Sequence, residues 1–469
     1  MYLHEPPTAG RTRRNPAHPA GMGPALVVVA LGLAAWTGCA APMRGGASGA
    51  ARAAAAEHES PALTDEQRRL NEESFDFVWT TIRDKHWDPT LGGLDWQAVR
   101  DELRPRVTAA RSMEEARAVM GEMLGRLQQS HFQIFPAHLY DDVGGPDGLA
   151  PGSGTPGLRV RVVDGRGLVV ALDPGSPAAA QGVGPGWEIL RVAGEDVGPR
   201  LEELAAELRG KTYLGYVLAR SVERRLRGDV GGKIRVGLRD GEGLERDLDL
   251  ELVAPRGRSV TFGNLPPQWV WCETRVLEGG IGYIAFSLFL DPTNVMKEFG
   301  ATMESSARAP GVILDLRGNG GGIGAMAMGM AGWFIPEKGH RLGTMYTRDG
   351  QIHFAVTPRA GVYRGPVAIL VDGLSASTTE ILAGGLRDLG RARIFGTSTA
   401  GAALPSQIER LPNGDGFQYA IANYVSQGGQ ALEGSGVVPD EVVALTREAL
   451  LESGDPALAA AIAWIKASG

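Results

Sequence analysis

The chain has 469 residues, too many for one ordinary core, so two or three domains are expected. Hydrophobic residues make up 43% and charged residues 22%, a balance that excludes a disordered or collagen-like chain despite the 67 glycines. The net charge of −7 gives no sign of a nucleic-acid partner.

The N-terminus reads as a targeting segment. "RTRRNPAH" is basic, and "ALVVVALGLAAW" is an apolar run too short to span a bilayer but suited to a secretory signal. "TGCA" follows. Thr37-Gly38-Cys39 resembles a bacterial lipobox, with Cys39 as the lipidated residue. Trp36 stands where that pattern usually has Leu, so cleavage by ordinary signal peptidase is the alternative. Without Cys39 the chain keeps only Cys272, so no internal disulfide can form. Residues 1–61 are therefore assigned to signal, lipobox and a small-residue tether.

Residues 62–145 read as a helical subdomain. "TDEQRRLNEESFDFVWTTIRDKHW" puts Leu70, Phe75, Val78, Trp79 and Ile82 on one face. "SMEEARAVMGEMLGRLQ" opens on a capping box, Ser112 to Glu115. It carries Val119, Met120, Met123, Leu124 and Leu127 at helical spacing. "QSHFQIF" then turns to strand-like alternation, which places Ser130-His131 at a helix-to-strand junction. A Gly/Pro/Asp linker follows.

From 150 to 255 the pattern becomes short strands: "LRVRVV", "GLVVALD", "WEILRVAG", "KIRVGLR" and "RDLDLELV". "DPGSPAAAQGVGPGWEILRVAGEDV" resembles the core of a PDZ domain, with Trp187 in place of the usual Asp. Such a domain binds an extended peptide by strand addition and holds its terminal carboxylate on backbone amides. Gly157, Leu158, Arg159 and Val160 are the matching loop and strand. A plain structural β module is the alternative.

From 256 to 469 buried-type strands alternate with helices, implying a mostly parallel sheet with covered faces. "GPVAILVDG" leads into "LSASTTEILAGGLRDLG", so Ser377 sits where a strand exit becomes a helix start. Ser377-x-x-Glu380 fits a capping box. Helix-terminal N–H groups at Ser377 and its neighbours, Thr378 among them, make an oxyanion environment. The glycine run of "DLRGNGGG", with Gly320, Gly321 and Gly322, is a second source of close-approaching N–H groups. No G-x-S-x-G elbow occurs. No metal-ligand pattern or phosphate loop is present, so neither metal nor cofactor is expected.

"ILDLRGNGGG", "LVDGLSASTTEILAGGLRDLGRARIFG" and "GVVPD" together resemble the carboxyl-terminal processing, or tail-specific, serine peptidases. With the N-terminal helices and the PDZ-like insertion, the resemblance covers most of residues 65–445. It implies an α/β fold: a crotonase/ClpP-like spiral of ββα units, a helical subdomain and an inserted PDZ-like domain. It also implies Ser377 as nucleophile. Many members pair this serine with a lysine, but Ala402 occupies that position and no lysine lies between Lys338 and Lys466. The tricorn core protease branch instead uses a Ser–His pair oriented by a second Ser and a Glu. Ser130-His131 and, in "LEGSGVVPD", Glu433 match those positions.

The roles that resemblance implies follow ordinary acid–base logic. A neutral imidazole, with a pKa of about 6.5, takes the Ser377 proton and returns it to the leaving amine. Glu433, acting through Ser130, orients the ring. Asp315 and Arg317 are expected to brace the glycine loop, and Asp388 and Arg391 to be structural. The expected partners are a peptide or protein substrate and, through the lipid anchor, a membrane, in the periplasm or cell envelope. Oligomeric state is left open. The competing reading is a catalytically inactive homologue that binds a peptide or hydrophobic ligand, as retinoid-binding relatives of the branch do.

Overall fold

Thr64 starts the first helix by a reciprocal cap. Its hydroxyl accepts from Gln67 N–H at 3.2 Å, and Gln67 Oε1 accepts from Thr64 N–H at 2.9 Å. A computed structural model describes residues 63–129, 132–137, 153–209, 214–261 and 267–468. Asp65–Lys85 buries Phe75, Val78, Trp79 and Ile82 as the periodicity predicts, with Leu70 only half-buried. It packs on Trp96–Thr108, and the two indoles lock the pair: Trp79 Nε1 donates to Trp96 O and Trp96 Nε1 to Trp79 O, at 2.9 and 3.0 Å. Met113–Gly125 is capped by Ser112, which accepts from Glu115 N–H. All five apolar residues predicted on that helix and its exit are buried. These helices share one continuous core with the C-terminal sheet, from Phe75 and Met123 to Ile369 and Leu382.

Leu158–Val163, Arg166–Leu172, Glu188–Val192, Lys233–Arg239 and Glu245–Glu251 form an antiparallel sheet in that spatial order, with Glu195–Asp196 paired beside the third strand. It has its own core, built on Val160, Ile189, Leu201, Val222, Val236 and Leu250. Leu158–Val163 is an edge strand, flanked by the helix Leu214–Arg225.

The second six-stranded sheet runs Cys272–Val276, Gly282–Phe286, Val312–Asp315, Val367–Val371, Arg393–Gly396, Glu441–Val442. The first pair is antiparallel and every later pair parallel. "VAILV" at its centre is buried throughout. Side chains alternate between two covers because strand periodicity is two. Val367, Ile369 and Val371 face the large core, and Ala368 and Leu370 join Ala461 and Ile465 of the helix Pro456–Ser468.

Two three-stranded sheets complete the C-terminal part. One joins Gly350–Ala355, Arg341–Thr347 and Ala422–Ser426; the other joins Gln133–Phe135, Gly416–Ala420 and Ser406–Arg410. The sequence reading names no strands in 341–355 or 406–426, where polar residues such as Thr344, Gln407, Glu409 and Gln418 break up the apolar runs.

Candidate active site

The central strand Val367–Val371 ends at Asp372, and a six-residue turn reaches the helix Thr378–Asp388. Asp372 organises this turn. Its Oδ1 accepts from Gly318 N–H at 2.9 Å and Leu374 N–H at 3.0 Å, and Arg161 Nη2 lies 2.7 Å from its Oδ2. Burial pushes the carboxyl up, but the Arg161 charge and these N–H donors outweigh it and hold it below the usual range.

Ser377 itself adopts φ 57° and ψ −120°, in the left-handed half of backbone space that a side-chain-bearing residue rarely occupies. It is fully buried, and its Oγ has no hydrogen-bond partner among the described residues. The Glu380 half of the predicted capping box forms: Glu380 Oε2 accepts from Ser377 N–H at 2.9 Å. Ser377 N–H also points to Ala402 O at 3.1 Å, so this amide is not the open donor that the helix start suggested.

The glycine loop lies directly against the serine. A Cβ on Gly321 would fall 2.7 Å from Ser377 Cβ and 2.9 Å from Thr378 N, so only glycine fits there, at φ 95°. Asn319, wholly buried, ties loop to turn. Its O accepts from Ala376 N–H and Thr379 Oγ1, its Oδ1 accepts from Gly321 N–H at 2.9 Å, and its Nδ2 donates to Phe286 O. Gly321 N–H is therefore engaged in this arrangement. Gly320 N–H and Thr378 N–H have no partner among the described residues. Thr378 Oγ1 donates to Gly322 O at 2.7 Å, a further tie across the site.

Glu380 is completely buried beside these groups. Besides Ser377 N–H, it accepts from Thr399 Oγ1 at 2.5 Å, Gly401 N–H at 2.9 Å and Ala402 N–H at 3.0 Å. Burial dominates these donors and pushes its carboxyl up to about 7. Ala402 is buried with Ala376 and Ala400 in a small methyl cluster. Two residues on, Leu404 N–H donates to Glu433 Oε2 at 3.2 Å, which puts Glu433 on the loop that Glu380 holds from the other side.

Ser130 and His131 lie outside the described residues, as do Cys39 and all of 1–62. The flanks of the Ser-His dipeptide are described. Trp87 Nε1 donates to Gln129 Oε1 at 3.1 Å, and Phe132 stacks on His86 at 5.3 Å. Gln133–Phe135 pairs antiparallel with Gly416–Ala420. The neighbouring strand Ser406–Arg410 begins two residues after Leu404.

Among the predicted peptide-binding residues, Gly157 has φ 78° and no room for a Cβ, which would meet Ser176 Cβ at 2.2 Å. Leu158 and Val160 are buried, and Arg159 lies over the Trp271 ring. Val160 N–H, on the open edge of its sheet, donates to Glu223 Oε1 at 3.3 Å. The next residue, Arg161, is the one that grips Asp372 in the serine turn. Leu374 of that turn packs with Tyr216 and Ala219 of the helix Leu214–Arg225.

Asp315 and Arg317 pair at 2.6 Å below the glycine loop, joined by Tyr283 OH and Asp455. Asp388 accepts from Gly428 N–H, and Arg391 donates to the carbonyls of Phe334, Tyr363 and Gly365. Among the described residues, no three His, Cys, Asp or Glu side chains converge as metal ligands would.

Sequence reasoning missed Asn319, Thr399, Asp372 and Arg161. Asn319 had a local signal, a lone polar residue inside a glycine run. The other three act through contacts distant in sequence.

The strained serine at its strand-to-helix turn and the glycine loop against it both fall within a stretch that matches a known family. Residues 280–443 match peptidase family S41, and residues 68–125 match the tricorn protease C1 domain. The chain carries an S41 serine peptidase domain. That domain holds five of the six strands of the second six-stranded sheet, with Ser377 and Glu433. The chain is 28% identical to the carboxyl-terminal-processing protease of Picosynechococcus sp. over 81% of this chain and 84% of that one. It is 26% identical to tricorn protease homolog 2 of Streptomyces coelicolor, over 78% of this chain and 30% of that one. The solved structure of mature CPAF complexed with lactacystin matches with a TM-score of 0.50 at 15% identity, covering 85% of this chain and 97% of that one. That likeness is one of fold.

Proposed function

We propose that this S41 peptidase is an exported endopeptidase that hydrolyses peptide bonds through an acyl-enzyme on Ser377. The observation that carries the reading is the Ser377 Oγ, without a partner among the described residues, set at positive φ at a helix start and against Gly321. His131 serves as base. Its Nε2 takes the hydroxyl proton as Oγ bonds to the scissile carbonyl carbon, and the oxyanion forms on Gly320 and Thr378 N–H. The C–N bond then breaks, and the imidazolium returns the proton to the leaving amine. Water hydrolyses the acyl-enzyme by the same base. Ser130 and Glu433 orient the ring. Support for His131 comes from its anchored flanks and from the sheet that links Gln133–Phe135 to Ser406–Arg410, the strand after Leu404, whose N–H donates to Glu433.

Ser377 is closed to solvent, so substrate reaches it only after some part of the surrounding structure moves. The antiparallel domain at 150–255 acts as a PDZ-like module. It takes an extended or C-terminal peptide segment on the Leu158–Val163 edge, where the peptide displaces Glu223 from Val160 N–H. Cys39 anchors the mature chain to the cell envelope as a lipoprotein.

The test is labelling by a fluorophosphonate probe, with hydrolysis of a denatured protein followed in parallel. Wild type should label and cleave; Ser377→Ala and His131→Ala should do neither, while keeping the wild-type circular dichroism spectrum. Undiminished labelling of either variant would overturn its assigned role.

A further inference from the structure

We propose that Glu380 is the positioning residue of Ser377: as a carboxylate it holds the serine turn and the Thr399–Ala402 loop in reactive register, and protonation releases them. This rests on Ser377 as nucleophile. The geometry is that of an acceptor socket filled from two segments. Oε2 takes Ser377 N–H and Ala402 N–H, while Oε1 takes Thr399 Oγ1 and Gly401 N–H. Three of these four donors are backbone amides, which cannot turn round to accept. A protonated carboxyl needs an acceptor for its own O–H, and Thr399 Oγ1 is the only partner with lone pairs. That oxygen already accepts from Val437 N–H at 2.7 Å. The ionised form thus satisfies all four donors, whereas the acid form must turn the Thr399 bond round and accepts more weakly from the three amides.

A helix cap needs one bond to Ser377 N–H. Glu380 makes three more, all to the loop that carries Ala402 and that Glu433 grips at Leu404. No charged side chain among the described residues bonds to Glu380. Asp372 and Arg161 pair with each other in the serine turn, Asp315 and Arg317 pair below the glycine loop, and Glu433 faces Leu404. With no counter-ion among the described residues, burial holds this carboxyl near its titration point, at about 7. The sign follows. As pH falls through that value Glu380 protonates, the register is lost, and Ser377 reactivity falls, independently of the base that takes its proton.

The experiment is the second-order labelling rate by a fluorophosphonate, measured from pH 5 to 9 on the full chain. Glu380→Gln should label ~30-fold or more slowly, since the amide presents N–H groups where acceptors are required. Thr399→Val removes one donor to the carboxylate, so its acidic limb should move up by about one pH unit. A merely structural loss would lower the rate without moving the limb. Wild-type rates in Glu380→Gln, or a Thr399→Val limb that coincides with wild type, would overturn the proposal while leaving Ser377 as nucleophile. If Glu380→Gln fails to fold, the Thr399→Val limb decides alone. Labelling that survives in Ser377→Ala would instead refute the serine assignment itself.

Discussion

Ser377 combines two costs that packing ordinarily removes. Its backbone sits at φ 57°, a conformation worth about 1–3 kcal/mol of strain for a non-glycine residue. Its hydroxyl is buried without a partner among the described residues, at about 1–3 kcal/mol more. Neither cost is needed by a helix cap, and both suit an oxygen held ready to bond elsewhere. Ser377→Ala should therefore abolish labelling and yet raise the melting temperature by about 1–2 °C, measured by calorimetry. A lower melting temperature would mean that the hydroxyl is hydrogen-bonded in the resting enzyme. Glu380 shows the limit of reading residues singly. In sequence it is one corner of a capping box; in the fold its carboxylate joins Ser377 to Thr399, Gly401 and Ala402.

The two glycines beside the serine illustrate what an element requires of its neighbours. Gly321→Ala would place a methyl group 2.7 Å from Ser377 Cβ at φ 95°, and should cost at least about 2 kcal/mol of stability and nearly all labelling. Gly320→Ala meets nothing nearer than Leu288 Cδ2 at 3.9 Å and keeps its N–H, so it should fold normally. Urea melts and probe labelling of both variants check the contrast; equal behaviour would refute it. The elements themselves were legible in sequence. "LRVRVV" and "KIRVGLR" are strands over their full lengths, and "VAILV" is the buried centre of the parallel sheet. Those segments carry a dense, local apolar signal. The hairpin Arg341–Thr347 to Gly350–Ala355 carries little, because its second strand is largely exposed. Ser377 and Glu433 could be picked out by motif. Asn319, Thr399, Asp372 and Arg161 could not be given roles, because each depends on a partner brought close only by the finished topology.

At the scale of the molecule, two separately cored sheets meet through several contacts, of which one ion pair and one small apolar cluster reach the serine turn itself. Arg161 belongs to the edge strand of the first, and Asp372 to the turn that carries Ser377. Their side chains are only 11% and 13% exposed, so breaking the pair leaves a nearly buried carboxylate uncompensated. This contact has a thermodynamic consequence. Any difference in strength between its peptide-bound and peptide-free forms is a coupling free energy, and coupling is reciprocal. If a reversible peptide boronate at Ser377 changes the affinity of a peptide for the Leu158–Val163 edge by some factor, that peptide must change boronate affinity by the same factor. Calorimetric titration in both orders should give equal factors in wild type, and Arg161→Ala should bring both close to one. Unchanged coupling in that variant would place the communication elsewhere, with the Leu374, Tyr216 and Ala219 cluster and the Arg159–Trp271 and Arg447–Asp240 contacts as other described routes.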